Sequence, residues 1–325
     1  MDREQLSFSE VLDRLFPAQQ ASSRRAPVSL VYRLSDMSPE EMCAFEARWA
    51  EEPVEQRRVI ARHMADISEE NFVVDFSPAF LRLLDDSSAE VRLAAVEGLW
   101  DTSNLAVVKP IIGLMQQDPD ALVRTAAASC LGHFVLMAEW GQIKQEIGER
   151  IVQALAEQYE EPLTARSVRR ASLESLGNAG DPRVARYIDD AYHNGDEAMQ
   201  VSAVYAMGRS MDDRWTSIVI QEMRNPEAEM RQEAARAAGN IGSSDAVDEL
   251  VELLEDDELE VRLAAVGALG KIGSDQAYEA MTELLDDEDA EELHEAIEEA
   301  MEEMEWLGSD LDPTLFKWDD DVALN

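Results

Sequence analysis

The sequence predicts an all-α protein, an α-α superhelix in which helix pairs stack into a solenoid, and three observations predict it. The first is one stretch, Asp256 to Gly273, that reads as a single amphipathic helix. Val261, Ala265, Ala268, Leu269 and Ile272 fall there at i, i+4, i+7, i+8 and i+11, one apolar face at helical spacing. The second is that this stretch recurs. Its Val261-Arg262 pair aligns with Val91-Arg92, Val123-Arg124, Val168-Arg169, Met199-Gln200, Met230-Arg231 and Leu293-His294, at steps of 32, 45, 31, 31, 31 and 32 residues. The third is a second apolar pattern between the copies: Val107 to Met115, Val184 to Tyr192, Trp215 to Met223, Ala246 to Leu254 and Ala277 to Leu285. Each unit is therefore two helices and a turn, and one such pair buries its apolar face only by stacking on neighbours.

Within the repeated helix, Asp256 is predicted to be the N-cap, with Glu258 and Glu260 placing negative charge at the positive end of the helix dipole. Gly270 and Gly273 are predicted to end it. The Asp256 column reads Asp86, Asp118, Leu163, Asn194, Asn225, Asp256 and Glu288. The Gly270 column reads Trp100, Gly132, Gly177, Gly208, Gly239, Gly270 and Glu302. Arg92, Arg124, Arg169, Arg231 and Arg262 each follow a core-facing residue. They are predicted to span, in forked geometry, to carboxylates or helix ends of the adjacent repeat.

The pattern Asp-x-x-x-x-Val-Arg-x-x-Ala-x-x-Ala-Leu-Gly-x-Ile-Gly over 256–273 resembles the HEAT-like repeat of phycobilin lyase subunits and of many prokaryotic adaptor-like proteins. The resemblance covers about 86–307 and implies a right-handed solenoid of about seven helix pairs. It also implies that the second helices line the concave surface. On that face the repeats would stack Lys109, Arg186, Ser217, Asp248 and Glu279 in one column. Gly113, Asp190, Gln221, Glu252 and Glu283 would form another, four residues later.

The remaining chain divides around this array. Residues 1–27 read as an amphipathic helix over 5–16, with Phe8, Val11, Leu12, Leu15 and Phe16 on one face, and a polar linker; the helix is expected to dock on its own solenoid. Residues 28–85 read as a helical cap without the Val-Arg register. There Val28–Leu34 is a short apolar run without an assignment. Ser38-Pro39-Glu40-Glu41 is a capping box opening a helix to about Glu51, Pro53 opens another to about Ala65, and Ser77-Pro78 a third to Asp85. The 45-residue step hides an insertion of about 14 residues, which extends one helix through 133–141 and lengthens the next over 142–159. Residues 308–325 read as an acidic tail bearing Leu311, Leu315, Phe316 and Trp318, expected to fold back over the last repeat.

Composition narrows the function. The net charge is −41, and residues 241–325 hold 29 acids against 3 bases. Such a field repels nucleic-acid phosphates and anionic lipid headgroups and attracts a basic partner. HEAT-like DNA glycosylases, by contrast, have basic faces. No run of 18 apolar residues suggests a membrane span, and Glu4, Glu10 and Asp13 interrupt any leader-like stretch. Cys43 and Cys130 lack metal spacing and are expected to be buried thiols of a reducing, cytoplasmic protein.

No catalytic or metal constellation emerges. His63, His133, His193 and His294 are far apart. His294-Glu295 resembles one of the His-Glu pairs of the HEAT-repeat hydroxylases that modify a translation factor, but that family uses several pairs and this chain has one. Neither Asp286-Asp287-Glu288-Asp289 nor Asp319-Asp320-Asp321 has the glycine or the ligand spacing of a calcium loop. Two functions stay open. One is a non-enzymatic scaffold without a cofactor, binding a basic protein along the concave face through Asp190, Asp248, Glu252, Glu279 and Glu283. The other, implied by the resemblance, is a lyase-like accessory subunit acting on a chromophore-bearing protein, with Tyr187, Trp215 and Arg186 as the aromatic and basic groups for the chromophore.

Overall fold

The computed structural model describes residues 6–16, 28–71, 73–285 and 288–308, with the side chains of 288, 289 and 305–308 left aside. Among the described residues every regular element is helical. The chain forms two compact units, Met1–Val184 and Ala185–Asn325. In order, the first holds α1 (Phe8–Leu15), α2 (Val28–Val31), α3 (Pro39–Glu51), α4 (Val54–Glu70), α5 (Ser77–Leu83), α6 (Ala89–Glu97), α7 (Val108–Gln117), α8 (Ala121–Glu139), α9 (Gln145–Glu160) and α10 (Arg166–Leu176). Helix α11 (Pro182–Asn194) straddles the boundary. The second unit continues with α12 (Glu197–Ser210), α13 (Thr216–Glu222), α14 (Ala228–Ile241), α15 (Val247–Glu252), α16 (Leu259–Ile272), α17 (Asp275–Leu285) and α18 (His294–Gly308). Helices pack as neighbouring pairs, the arrangement of a HEAT-like solenoid.

At the N-terminus, α1 docks in cis as expected. A capping box between Ser7 and Glu10 starts it, and Val11, Leu12, Leu15 and Phe16 are buried. Arg48 donates to the Phe16 carbonyl, Gln56 donates to that of Leu15 at 2.9 Å, and the Phe16 ring stands edge-on to Trp49. The 28–34 run is a helical turn followed by a 3-10 turn that buries Val31 and Leu34. Ser38 and Glu41 close the predicted capping box of α3. Helix α4 outruns its expected end at Ala65 and reaches Glu70, because Ile67 is still on its core face. The linker at 17–27 and the tail from 309 lie outside the described residues.

Two sequence expectations are corrected in the repeated helix. Asp256 is not its N-cap: α16 starts at Leu259, Glu258 holds the cap position, and no side chain caps it. Asp256 instead accepts the amide of Glu258 at 3.0 Å, as Asp118 accepts that of Asp120 and Asn225 that of Glu227. This two-residue side-chain turn bends the chain into the helix and leaves the carboxylate facing the neighbouring repeat. Gly270 does not end the helix either; it lies inside α16. Gly273 ends it, with φ 68° and its amide donating to the Leu269 carbonyl at 3.0 Å. The glycine column marks contact between successive Val-Arg helices. A Cβ on Gly239 would sit 2.7 Å from the Ala268 Cα, and one on Gly208 would sit 2.6 Å from the Ala237 Cα. The missing side chains let α12, α14 and α16 touch at the backbone.

Cys43 is exposed, contrary to expectation, because position 43 of α3 faces away from its core residues Phe45 and Trp49. Cys130 is buried, and burial pushes its thiol pKa up to about 12. By length and composition α8 would cross a membrane; it packs instead against α6, α7, α9 and α10, with ten of its residues in the core.

Candidate functional site

The arginine column forms a ladder between repeats. Arg231 on α14 donates from Nε and Nη2 to the two carboxylate oxygens of Asp256, at 2.7 and 2.8 Å, and from Nη1 to the carbonyls of Asn225 and Pro226 in its own loop. Arg92 on α6 repeats the arrangement with Asp118 at 2.7 and 2.8 Å and with the Asp86 carbonyl at 2.8 Å. The Arg231 bond holds the Asp256 carboxyl below its ordinary value; at Asp118, burial opposes the Arg92 bond, and the net shift is also down. The cap joins the same scheme without the Val-Arg register: Asp86 receives Arg57 of α4 at 3.2 Å and the Trp49 indole N–H at 2.8 Å. Arg92, Arg231 and Arg262 thus tie repeat to repeat as expected, whereas the bonds of Arg124 and Arg169 stay within their own loops.

The second helices of the later unit carry the predicted acids. Asp248, Glu252, Glu279 and Glu283 are all exposed on α15 and α17, and Gln276 of α17 donates to Asp248 at 2.7 Å across the two helices. Between 243 and 308 the bases are Arg262 and Lys271, with His294. Arg262 is engaged by Glu292 and by the Asp256 carbonyl, and Lys271 by Asn240 at 2.9 Å. Asp190 is exposed on α11 and accepts from Asn194; Lys109 is exposed on α7, in the other unit. Arg186 is exposed with its guanidinium 5.6 Å from the Tyr187 ring centroid. Tyr187 and Trp215 are each only 5% exposed. That corrects the expectation that they line a chromophore groove: both rings are committed to the helix core, and Trp215 lies beneath Arg214 rather than Arg186.

One site was missed. A cavity of about 680 Å³ lies among α4, α6 and α8, with Arg62 and Glu69 on one wall, Val96 and Trp100 on the floor, and Ser129 and Cys130 on the other wall. Helix α6 stops at Glu97 while α4 and α8 run on past it, so the flanking helices stand above a short one. Arg62 bridges the rim by pairing with Glu97 and, at 3.7 Å, with Asp66. The signal in the sequence was Trp100, the one indole in the glycine column. Among the described residues, no three His, Cys, Asp or Glu side chains are grouped as a metal site requires.

These repeats place the protein in a known class. The pattern that defines HEAT repeats matches residues 77–163 and 216–302, more than half of the chain, and the chain belongs to that family. Both matches begin at the helix before a Val-Arg helix. Three solved structures are similar to this chain. The phycocyanin lyase CpcE–CpcF complex of Nostoc sp. PCC7120 is 20% identical over 71% of this chain and 94% of its own, with a TM-score of 0.46. The YibA protein of E. coli is 18% identical over 74% and 95%, with a TM-score of 0.43. Human deoxyhypusine hydroxylase is 15% identical over 82% and 96%, with a TM-score of 0.36. No curated protein matches the sequence.

Proposed function

We propose that the protein is a non-enzymatic scaffold that binds a basic protein partner through the acidic face of α15 and α17. The observation that carries this reading is that, among the described residues, Asp248, Glu252, Glu279 and Glu283 are exposed on adjacent helices with no ion pair: Arg262 and Lys271 are engaged elsewhere, and Arg224 reaches α15 at Glu249. Like charges in this arrangement cost about 0.2–0.5 kcal/mol per exposed i,i+4 pair. A cationic partner removes that repulsion and is steered in by the field of a −41 chain. The partner is expected on the face that α15 and α17 present. A cytoplasmic location suits the two free cysteines.

The test is affinity capture on the immobilised full chain, followed by titration of the captured partner against the combined Asp248→Asn, Glu252→Gln, Glu279→Gln, Glu283→Gln variant. The complex is expected to weaken and its salt dependence to flatten, with thermal stability equal or slightly higher. Wild-type affinity of the variant at low salt would remove this face from recognition.

A further inference from the structure

The arginine ladder has one rung without its aspartate. Arg124 on α8 is anchored in the same way as Arg92 and Arg231: Nη1 donates to the Asp118 carbonyl at 2.6 Å and to that of Pro119 at 3.2 Å, the counterparts of Asn225 and Pro226 beneath Arg231. With Nη1 so fixed, Nε and Nη2 form the edge that grips a carboxylate in the other two rungs. In the next repeat, however, the aspartate position is Leu163, which is 93% exposed. The carboxylate nearest to that position in the sequence, Glu161, belongs to a longer loop. Five residues separate α9 from α10, against three between α7 and α8 and three before α16. The carboxylate of Glu161 turns back to accept the Leu163 amide at 3.2 Å. Among the described residues, none forms an ion pair with Arg124.

The start of α10 lies alongside. The hydroxyls of Thr125 and Ser167 are 2.9 Å apart, and Arg166, Arg169 and Arg170 make 164–170 a stretch with three bases and no acid in an otherwise acidic chain. Arg169 itself donates to the Tyr159 carbonyl and covers that ring.

We propose that the Nε–Nη2 edge of Arg124 binds an aspartate on an acidic turn of a partner protein, with Leu163 providing an apolar contact beside it. The molecule itself specifies this ligand: the same guanidinium edge, anchored through the same Nη1 bonds, holds the aspartate of an Asp-Pro-Asp turn at Arg92 and of an Asp-Asp-Glu turn at Arg231. A partner's turn would complete the interrupted rung by imitating the chain's own repeats. The site is separate from the acidic face of α15 and α17 and does not depend on that reading.

Arginine side-chain Nε–H resonances of the ¹⁵N-labelled full chain test this. The probe is acetyl-Asp-Pro-Asp-amide, the sequence of residues 118–120, and the control is acetyl-Asn-Pro-Asn-amide. The Arg124 resonance, assigned by its loss in Arg124→Lys, is expected to move saturably with the aspartate peptide, while those of Arg92 and Arg231 stay in place. The control should bind about tenfold more weakly, as removal of a charged hydrogen-bond acceptor predicts. The accompanying shift of the Leu163 amide should be lost in Arg124→Lys, whose remaining spectrum reports that the fold is intact. An Arg124 resonance that ignores the aspartate peptide, or that follows both peptides equally, overturns the proposal. So does one that moves on Glu161→Gln without any peptide, because an internal carboxylate would then occupy the edge.

Discussion

Residues up to Val184 and residues from Ala185 onward build the same helix pair from different material. The first unit fills its core with large side chains: Phe16, Phe45, Phe76, Phe80 and Phe134 are all fully buried. The second buries no phenylalanine among its described residues and brings its Val-Arg helices together through Gly208 against Ala237, Gly239 against Ala268 and Gly270 against Ala300. The difference follows the repeat lengths. Steps of 31 or 32 residues put Gly208, Gly239 and Gly270 opposite an alanine of the next Val-Arg helix, so backbones touch. The insertion in the 45-residue step and the cap break that register, and bulky residues fill the uneven space. Regularity allows small-residue contact; irregularity demands volume and leaves features such as the cavity over α6.

Four measurements test this contrast, from the largest expected effect to the smallest. Phe80→Ala should cost about 3–5 kcal/mol, because its ring is fully buried against Phe76 and under Gly98. Denaturant unfolding reads the loss, and a change below about 1 kcal/mol would mean that the first core is not held by its aromatics. Asp256→Asn is expected to cost about 1.5–3 kcal/mol, since Arg231 would keep its fork and lose the charge it grips. The pH dependence has a fixed sign. The folded-state pKa of Asp256 lies below the ordinary 3.8, so its contribution is fully present above that value and is lost as pH falls through the depressed one. The gap between wild type and variant should hold from neutral pH to about pH 4 and close below it; a gap that closes already at pH 6 would assign the effect to another group.

Gly239→Val should cost about 1–3 kcal/mol, because the new Cβ meets Ala268 backbone rather than a movable side-chain end. Gly113→Val on α7 is its control in the first unit: a Cβ there meets nothing within 4 Å, and stability should stay within about 0.5 kcal/mol. Equal losses at both positions would dissolve the distinction between contact glycines and open ones. The smallest effect is chemical. Cys43 should react with a thiol reagent in the native protein at pH 8, and Cys130, buried and with its thiol pKa raised to about 12, only after unfolding. Rapid native modification of Cys130 would show the α8 wall of the cavity to be open.

Much of this fold was legible because burial acts on each side chain by itself. An apolar residue at helical spacing marks a core face whatever it packs on, so Val261, Ala265, Ala268 and Leu269 could be assigned from periodicity and are buried. Capping is equally local, and Ser38 with Glu41 could be read from four consecutive residues. The acids of α15 and α17 were legible as an exposed stripe for the same reason. The rest depended on partners a full repeat away. Whether Asp256 caps a helix or receives Arg231, whether Gly270 ends a helix or lets Ala300 approach, and whether Trp215 lines a groove or fills a core are questions of distance between packed backbones. Sequence by itself determined the helices, their register and the sign of their surface. Only the tertiary structure decided which polar groups meet, because a charged hydrogen bond needs its two ends within about 3 Å, and stacking alone sets that separation.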